Sequence, residues 1–337
     1  MNVQRLRASL RGWGGVSAMA VVCALTALFA LVLPVTQSPG DGGTGIGGQG
    51  VAQGERIRAE EKCTDPEDRS LAPSGDQDGD AVQAIRERGY LSVGVDQNSF
   101  RWGYRDPNST SEKAELEGFD IDLVHAIADE ILGKQDAEVR FHAIPTDQRI
   151  PAIKRGDVDM VVRTMTITCD RLKEVAFSSP YFQTGQQVLA PKKSDITGYD
   201  GSLAKKKICS AKGSTAYENL EADQKNGDLV ASADIKTTVP NQLDCLVRLQ
   251  LGEVDAVVTD GALAASQAAQ DPTVELKGKP FTTEYYGVAM KLGSDDLVRR
   301  VNQVLVDYRK DGWQQSYNTW LRASLGASSG PPSVEYR

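Results

Sequence analysis

The feature that most constrains this chain is a segment that occurs twice. Arg149-Ile-Pro-Ala-Ile-Lys-Arg-Gly-Asp-Val-Asp-Met-Val-Val and Cys245-Leu-Val-Arg-Leu-Gln-Leu-Gly-Glu-Val-Asp-Ala-Val-Val lie 96 residues apart and share Gly-[Asp/Glu]-Val-Asp-x-Val-Val. Each reads as a short amphipathic helix, stopped by Gly156 or Gly252, that leads into a buried strand. Each copy also has an earlier strand candidate, Tyr90-Leu-Ser-Val-Gly-Val and Lys207-Ile-Cys-Ser-Ala. β-Branched runs bounded by helices call for parallel strands covered on both faces. In the helix predicted from Phe119, residues Phe119, Leu123, Ile127 and Ile131 share one side at a spacing of four. The predicted fold is therefore α/β, with two similar α/β lobes. The first occupies 81–184 and the second 185–284, and 285–325 returns to the first through helices at Asp295–Tyr308 and Gly312–Ser324. Residues 326–337 read as a tail.

The region ahead of the lobes points out of the cytoplasm. Residues 1–15 form a basic stretch with Arg5, Arg7 and Arg11, and 16–35 are free of charge. An apolar run of about 20 residues spans a bilayer, and a basic flank stays inside. An uncleaved membrane anchor is the first expectation, with a cleaved signal or a lipid anchor at Cys23 as alternatives. Each delivers the lobes outside the cell membrane. Residues 36–80 read as a flexible linker and N-terminal extension, since eight of the nineteen residues from Thr36 to Gly54 are glycine. Beyond Cys23 four cysteines remain, Cys63, Cys169, Cys209 and Cys245, with no C-x-x-C spacing. In an oxidising compartment an even number favours two bridges, of which three connectivities are possible. Cys209–Cys245 within one lobe and Cys63–Cys169 pinning the extension form the preferred set.

Charge and histidine content narrow the function. The formal charge is −8, and residues beyond the first 35 carry −11. A nucleic-acid binder would need a basic face instead. His125 and His142 are the only histidines, which excludes a multi-histidine zinc site, and no nucleophile–His–acid set is visible. No catalytic residue, metal or cofactor is expected. In open α/β sheets ligands bind beyond the carboxyl ends of the strands. That rule nominates Asp96, Arg163 to Thr166, Gly213 to Thr215, and Thr259-Asp260. Arg171, in the same loop as Thr164 and Thr166, has the fork geometry that grips a carboxylate. Arg163 needs a partner or a wet cleft. Gly213, Ser214 and Thr215 form a strand-to-helix turn suited to an anion, although Ser214 or Thr215 could simply cap the helix. Asp260 either caps the next helix or faces an ammonium. A carboxylate grip in one lobe and an acid in the other describe a clamp for a zwitterion. With Arg163 in the cleft and Arg101 and Arg149 approaching it, glutamate and aspartate rank first, and glutamine and asparagine follow. Pairing of Arg163 with an internal acid such as Asp96 would instead favour the amides.

Together, Gly118-Phe-Asp-Ile-Asp-Leu, Thr164-Met-Thr-Ile-Thr-Cys-Asp-Arg171, Phe177-Ser-Ser-Pro-Tyr-Phe182, Gly213-Ser-Thr215, Val254-Asp-Ala-Val-Val-Thr-Asp260 and Glu284-Tyr-Tyr-Gly287 resemble the polar amino-acid family of extracytoplasmic solute-binding proteins. Within it the chain is similar to actinobacterial glutamate-binding and GlnH-type members. The resemblance implies a periplasmic-binding-protein-like fold of type II with two hinge crossings, near 181–186 and 283–287. It implies that Arg171 and Thr166 bind the ligand α-carboxylate, and that Asp260 with a carbonyl near Thr164 binds the α-amino group. The implied partner is an ABC transporter permease or, as in the GlnH-type branch, a membrane sensor protein that signals to a kinase. The ectodomain is expected to be a monomer. A dehydratase-like enzyme on the same fold is the minor alternative. Two departures stand out: Thr164 occupies the family's usual glycine, and Thr146 to Arg149 replace the aromatic that commonly sits on the ligand.

Overall fold

The computed structural model describes residues 63–76, 78–106, 109 and 115–337. The apolar run at 16–35 and the glycine-rich stretch at 36–54 lie outside the described residues. Among the described residues no helix is long and apolar enough to cross a membrane.

The first lobe opens with α1 (Asp80–Arg88) and β1 (Leu91–Val95), followed by a small antiparallel sheet of β2 (Asn98–Ser99), β3 (Gly103–Arg105) and β4 (Leu116–Glu117). Helix α2 (Phe119–Leu132) buries Phe119, Leu123, Ile127 and Ile131, the stripe that the spacing of four specifies. Gly118 precedes it at φ 129°, where a Cβ would lie 2.5 Å from the Trp102 carbonyl oxygen, so only glycine fits. Then come β5 (Val139–Ala143), α3 (Arg149–Arg155), β6 (Met160–Val161), the four-residue α4 (Cys169–Leu172) and β7 (Ala176–Phe177). Strand β8 (Phe182–Thr184) leads to the second lobe. That lobe consists of β9 (Gln186–Pro191), β10 (Lys207–Ala211), α5 (Thr215–Asn226), β11 (Asp234–Val239), α6 (Gln242–Gln250), β12 (Ala256–Asp260), α7 (Gly261–Gln270) and β13 (Val274–Lys277). Strand β14 (Glu284–Tyr286) pairs antiparallel with β8, so the chain crosses between the lobes in two adjacent strands. Strand β15 (Ala289–Met290), α8 (Asp295–Tyr308) and α9 (Gly312–Ser316) then complete the first lobe.

The two sheets follow one plan. Their orders are β5-β1-β6-β15-β7 and β11-β10-β12-β9-β13. In each, three parallel strands are followed by a strand that runs antiparallel to the third. The repeated segment supplies the helix and third strand of both copies: α3 with β6, and α6 with β12. Gly156 closes α3 in the left-handed conformation at φ 75°, and its N–H reaches the Ala152 and Ile153 carbonyls. Gly252 follows the end of α6 at φ 70°. Both faces of both sheets are covered by apolar side chains, as buried parallel strands require. The returning α8 buries Leu297, Val298, Val301, Val304 and Leu305 against the first lobe.

The disulfides are Cys63–Cys169 and Cys209–Cys245. The described end of the extension is fastened to the first lobe. The Ser70 hydroxyl donates to the Phe177 carbonyl at 2.9 Å, and the Asn302 amide donates to the Leu71 carbonyl at 2.6 Å. The C-terminal residues also return to the body, because the Arg337 N–H donates to the Ser70 carbonyl at 3.0 Å.

Candidate functional site

Parallel strands place the loops after β1, β6, β10 and β12 at one end of their sheets, and the two sheets turn those ends toward each other. Several hydrogen bonds join the lobes there. The Thr146 N–H donates to the Pro240 carbonyl at 3.0 Å, the Arg163 guanidinium to the Asn241 side-chain oxygen at 3.0 Å, and the Trp102 indole to the Ser266 hydroxyl at 3.2 Å. Between the lobes lies a small, tight cavity, lined by Arg149, Thr164, Thr166, Arg171, Ser214, Thr215, Ala216, Gln242, Thr259 and Asp260. Seven residues nominated from the sequence are on this wall: Arg171, Thr166, Thr164, Thr259, Asp260, Ser214 and Thr215.

Arg163, Asp96, Met165 and Gly213 are not. Arg163 and Asp96, expected in the cleft, hold each other at 2.9 Å, and Arg163 is 0% exposed. Their strands, β6 and β1, are parallel neighbours, so the acid after one meets the base after the other. Asp96 is further occupied by the Gln97 and Asn98 N–H groups and the Ser99 hydroxyl. Arg163 also donates to the Thr146 hydroxyl at 2.9 Å. Its charge is thus neutralised inside the protein, which corrects the expectation that Arg163 reads the ligand side chain. Gly213 is off the cavity wall, but its carbonyl accepts from both Arg149 and Arg171 at 3.2 Å. Arg101 stacks on the Phe100 ring at 4.9 Å and does not line the cavity.

Arg149 and Arg171 dominate the electrostatics. Both are buried. Arg149, at the start of α3, donates to the Thr146 carbonyl at 2.9 Å, and Arg171 in α4 donates to the Thr166 carbonyl at 2.8 Å. Among the described residues neither makes a salt bridge within 4.0 Å. Burial lowers the proton affinity of both, and for Arg149 the Arg171 and Arg163 charges add to that effect. Opposite them stands Asp260, the last residue of β12. It makes no capping bond to α7; its carboxylate accepts from the Tyr286 hydroxyl at 2.6 Å. Burial, then the Glu284 charge, push its carboxyl up to about 7.

Ser214 does serve as the cap of α5, its hydroxyl accepting from the Tyr217 N–H at 3.2 Å. Thr215 donates to Glu284 at 3.2 Å. Glu284 itself, on the β14 crossing, is buried with its carboxyl raised, chiefly by burial. Neither Glu284 nor Gln242 is among the residues nominated from the sequence; Glu284 lies in the Glu284-Tyr-Tyr-Gly287 motif, and Gln242 carries no local signature.

The departure at Thr164 falls on a special backbone position. The position sits at φ 41°, a left-handed conformation natural to glycine and strained for a β-branched residue. The turn is held because the Thr164 N–H donates to the Asp120 carboxylate at 3.0 Å, which also accepts from the Tyr181 hydroxyl at 2.9 Å. Burial pushes the Asp120 carboxyl up to about 7.

Residues 91–323 match the sequence model of the bacterial extracellular solute-binding proteins, family 3. The chain is 33% identical over 244 residues to the ABC transporter glutamine-binding protein GlnH of Bacillus subtilis, covering 72% of this chain and 85% of that one. It is 28% identical over 275 residues to the glutamate-binding protein GluB of Corynebacterium efficiens, covering 77% and 87%. Among solved structures, an ancestral arginine-binding protein bound to glutamine superposes with a TM-score of 0.61 at 35% identity, covering 71% of this chain and 99% of that one.

Proposed function

The chain belongs to family 3 of the bacterial extracellular solute-binding proteins, and from that premise we propose that its two lobes close on one acidic or amide α-amino acid, without turning it over. Arg171 with Thr166 takes the α-carboxylate, Asp260 takes the α-ammonium, and Thr164, Ser214 and Thr215 complete the wall. Arg149 takes the side chain, which puts glutamate and aspartate ahead of glutamine and asparagine. The observation that carries this reading is the pair of buried guanidiniums, Arg149 and Arg171, facing the same cavity as Asp260 with no salt bridge of their own among the described residues. A buried charge without a partner is costly, and a zwitterion with an acidic side chain supplies the missing ones. The neutralised Arg163–Asp96 pair removes the earlier ground for an acidic ligand, and Arg149 replaces it.

The liganded form is then cargo for the membrane permease of an ABC importer, with a membrane sensor protein as the alternative partner. On this reading the lobes work outside the cell membrane, tethered or released by residues 16–35. A thermal-shift screen against the twenty amino acids tests the ligand class. Glutamate or aspartate should give the largest stabilisation, with glutamine and asparagine next. Stabilisation by lysine or arginine above all others, or by none of the twenty, overturns it.

A further inference from the structure

The helix that carries Arg171 has four residues, Cys169–Leu172. A helix so short has no stability of its own, because nucleation fixes several residues before propagation repays it. Its order must come from its surroundings. Leu172 and Val175 anchor the inner side in the core beneath, whereas Asp170 and Lys173 on the outer side are exposed. The Thr168 hydroxyl accepts from the Arg171 N–H at 3.2 Å, and the Val175 N–H donates back to the Arg171 carbonyl at 2.9 Å. These bonds are local and would travel with the helix if it shifted.

The covalent fixing is different. Cys169, the first residue of the helix, is joined to Cys63, 106 positions away. Cys63 begins a strap that is itself secured to the first lobe. Buried Asn302 on α8 donates to the Ser70 hydroxyl at 2.8 Å and to the Leu71 carbonyl at 2.6 Å. Arg299, on the same helix, donates to the Ala72 carbonyl at 2.9 Å, and its own carbonyl accepts from the Ser74 N–H at 3.1 Å. The strap therefore links α8, a rigid part of the fold, to the residue two positions before Arg171.

We propose that Cys63 is a positioning residue for ligand capture: through its disulfide with Cys169, the strap holds the short helix in the orientation that presents the Arg171 guanidinium to the cavity. The inference rests on the reading of Arg171 as the carboxylate grip. A guanidinium displaced by about 1 Å loses the bidentate geometry that makes it selective. A bridge closing so long a loop also stabilises the fold generally, so the two effects must be measured separately.

The test titrates L-glutamate calorimetrically into the full chain, C63S, C63S/C169S and R171A, at a temperature where circular dichroism shows every variant folded. Melting temperatures are recorded in parallel. Both cysteine variants should bind on the order of tenfold more weakly, with faster dissociation, and R171A should lose binding. If the cysteine variants fold poorly, mild reduction of the native chain gives the same readout. Cys63 and Cys169 are partly exposed whereas Cys209 and Cys245 are fully buried, so alkylation and mass mapping should show the first bridge opening alone, with the same loss of affinity. A lower melting temperature with an unchanged dissociation constant makes the bridge a general staple and overturns the inference. R171A binding like the native chain overturns the grip reading instead, and the two failures are distinct.

Discussion

Replacing Arg149 by methionine separates the ligand's two ends. Methionine keeps most of the volume and removes the charge, and Arg149 is 3% exposed, so the new side chain meets little water. Removing one partner of a buried ion pair costs about 3–5 kcal/mol, whereas a hydrogen bond from a charged donor to a neutral amide contributes less, about 1.5–3 kcal/mol. Arg149→Met should therefore weaken glutamate and aspartate by roughly 150- to 5,000-fold, and glutamine and asparagine by roughly 10- to 150-fold. The melting temperature without ligand should change little. The lost bonds to the Thr146 and Gly213 carbonyls are offset by removing a desolvated charge flanked by Arg171 and Arg163. The assay is calorimetry with all four ligands, with the unliganded melt as the control for folding. Equal losses for glutamate and glutamine would place Arg149 on the α-carboxylate beside Arg171 and remove the basis for ranking the acids first.

Arg163→Met should behave in the opposite way: it leaves Asp96 buried without its partner, which costs about 3–5 kcal/mol of stability, and calorimetry should show all four ligands weakened by the same factor, a selective loss of glutamate being the refuting result. Affinity should rise from pH 5 to pH 8, because the ligand ammonium needs the Asp260 carboxylate, whose proton is held up to about 7 in the unliganded protein; Asp260→Asn should bind weakly with no such rise, and a flat native profile refutes the role. The stability sign is reversed: a carboxyl raised above its unfolded value of about 4 contributes stability fully present below that value and lost as pH rises through about 7, so without ligand Asp260→Asn should gain melting temperature relative to the native chain between pH 5 and pH 8.

What was legible in the sequence is what local chemistry and periodicity encode. The duplicated helix–Gly–strand segment carries the third strand of each sheet, and the stripe from Phe119 to Ile131 names the buried face of α2. The rule that ligands lie past strand carboxyl ends found the loops that meet at the cavity, since it depends only on strand direction. It could not say which side chains in those loops turn to each other. Arg163 and Asp96 meet because β6 lies beside β1, a neighbour relation that strand order, not strand content, decides. Asp260 looked equally suited to capping α7, and the choice was made by the Tyr286 hydroxyl arriving on the β14 crossing. Arg149 was visible as a charge near the cleft, but its exposure to the cavity depends on how α3 abuts the loop after β6. The left-handed turn at Thr164 is held by Asp120, forty-four residues away, which no local pattern could show.

The charges around the cavity also indicate why closure and recognition form one step. Arg149 and Arg171 stand on one side of the cavity and Asp260 on the other. In the closed form each is buried, and each responds in the direction that penalises its own charge: the arginines hold their protons less firmly, and Asp260 retains one up to about 7. An empty closed site is therefore electrostatically disfavoured, whatever the bonds from Thr146, Arg163 and Trp102 across the gap contribute. A ligand can shift the balance only by its differential interaction with the closed form. On the proposed reading, one that lacks the α-ammonium leaves Asp260 unmatched, and one that lacks the α-carboxylate leaves Arg171 unmatched, so each incomplete ligand restores part of the penalty. A basic side chain adds a third cation beside Arg149. Discrimination then resides in how long the lobes stay closed, which is why dissociation rates, more than association rates, should separate glutamate from its poorer competitors.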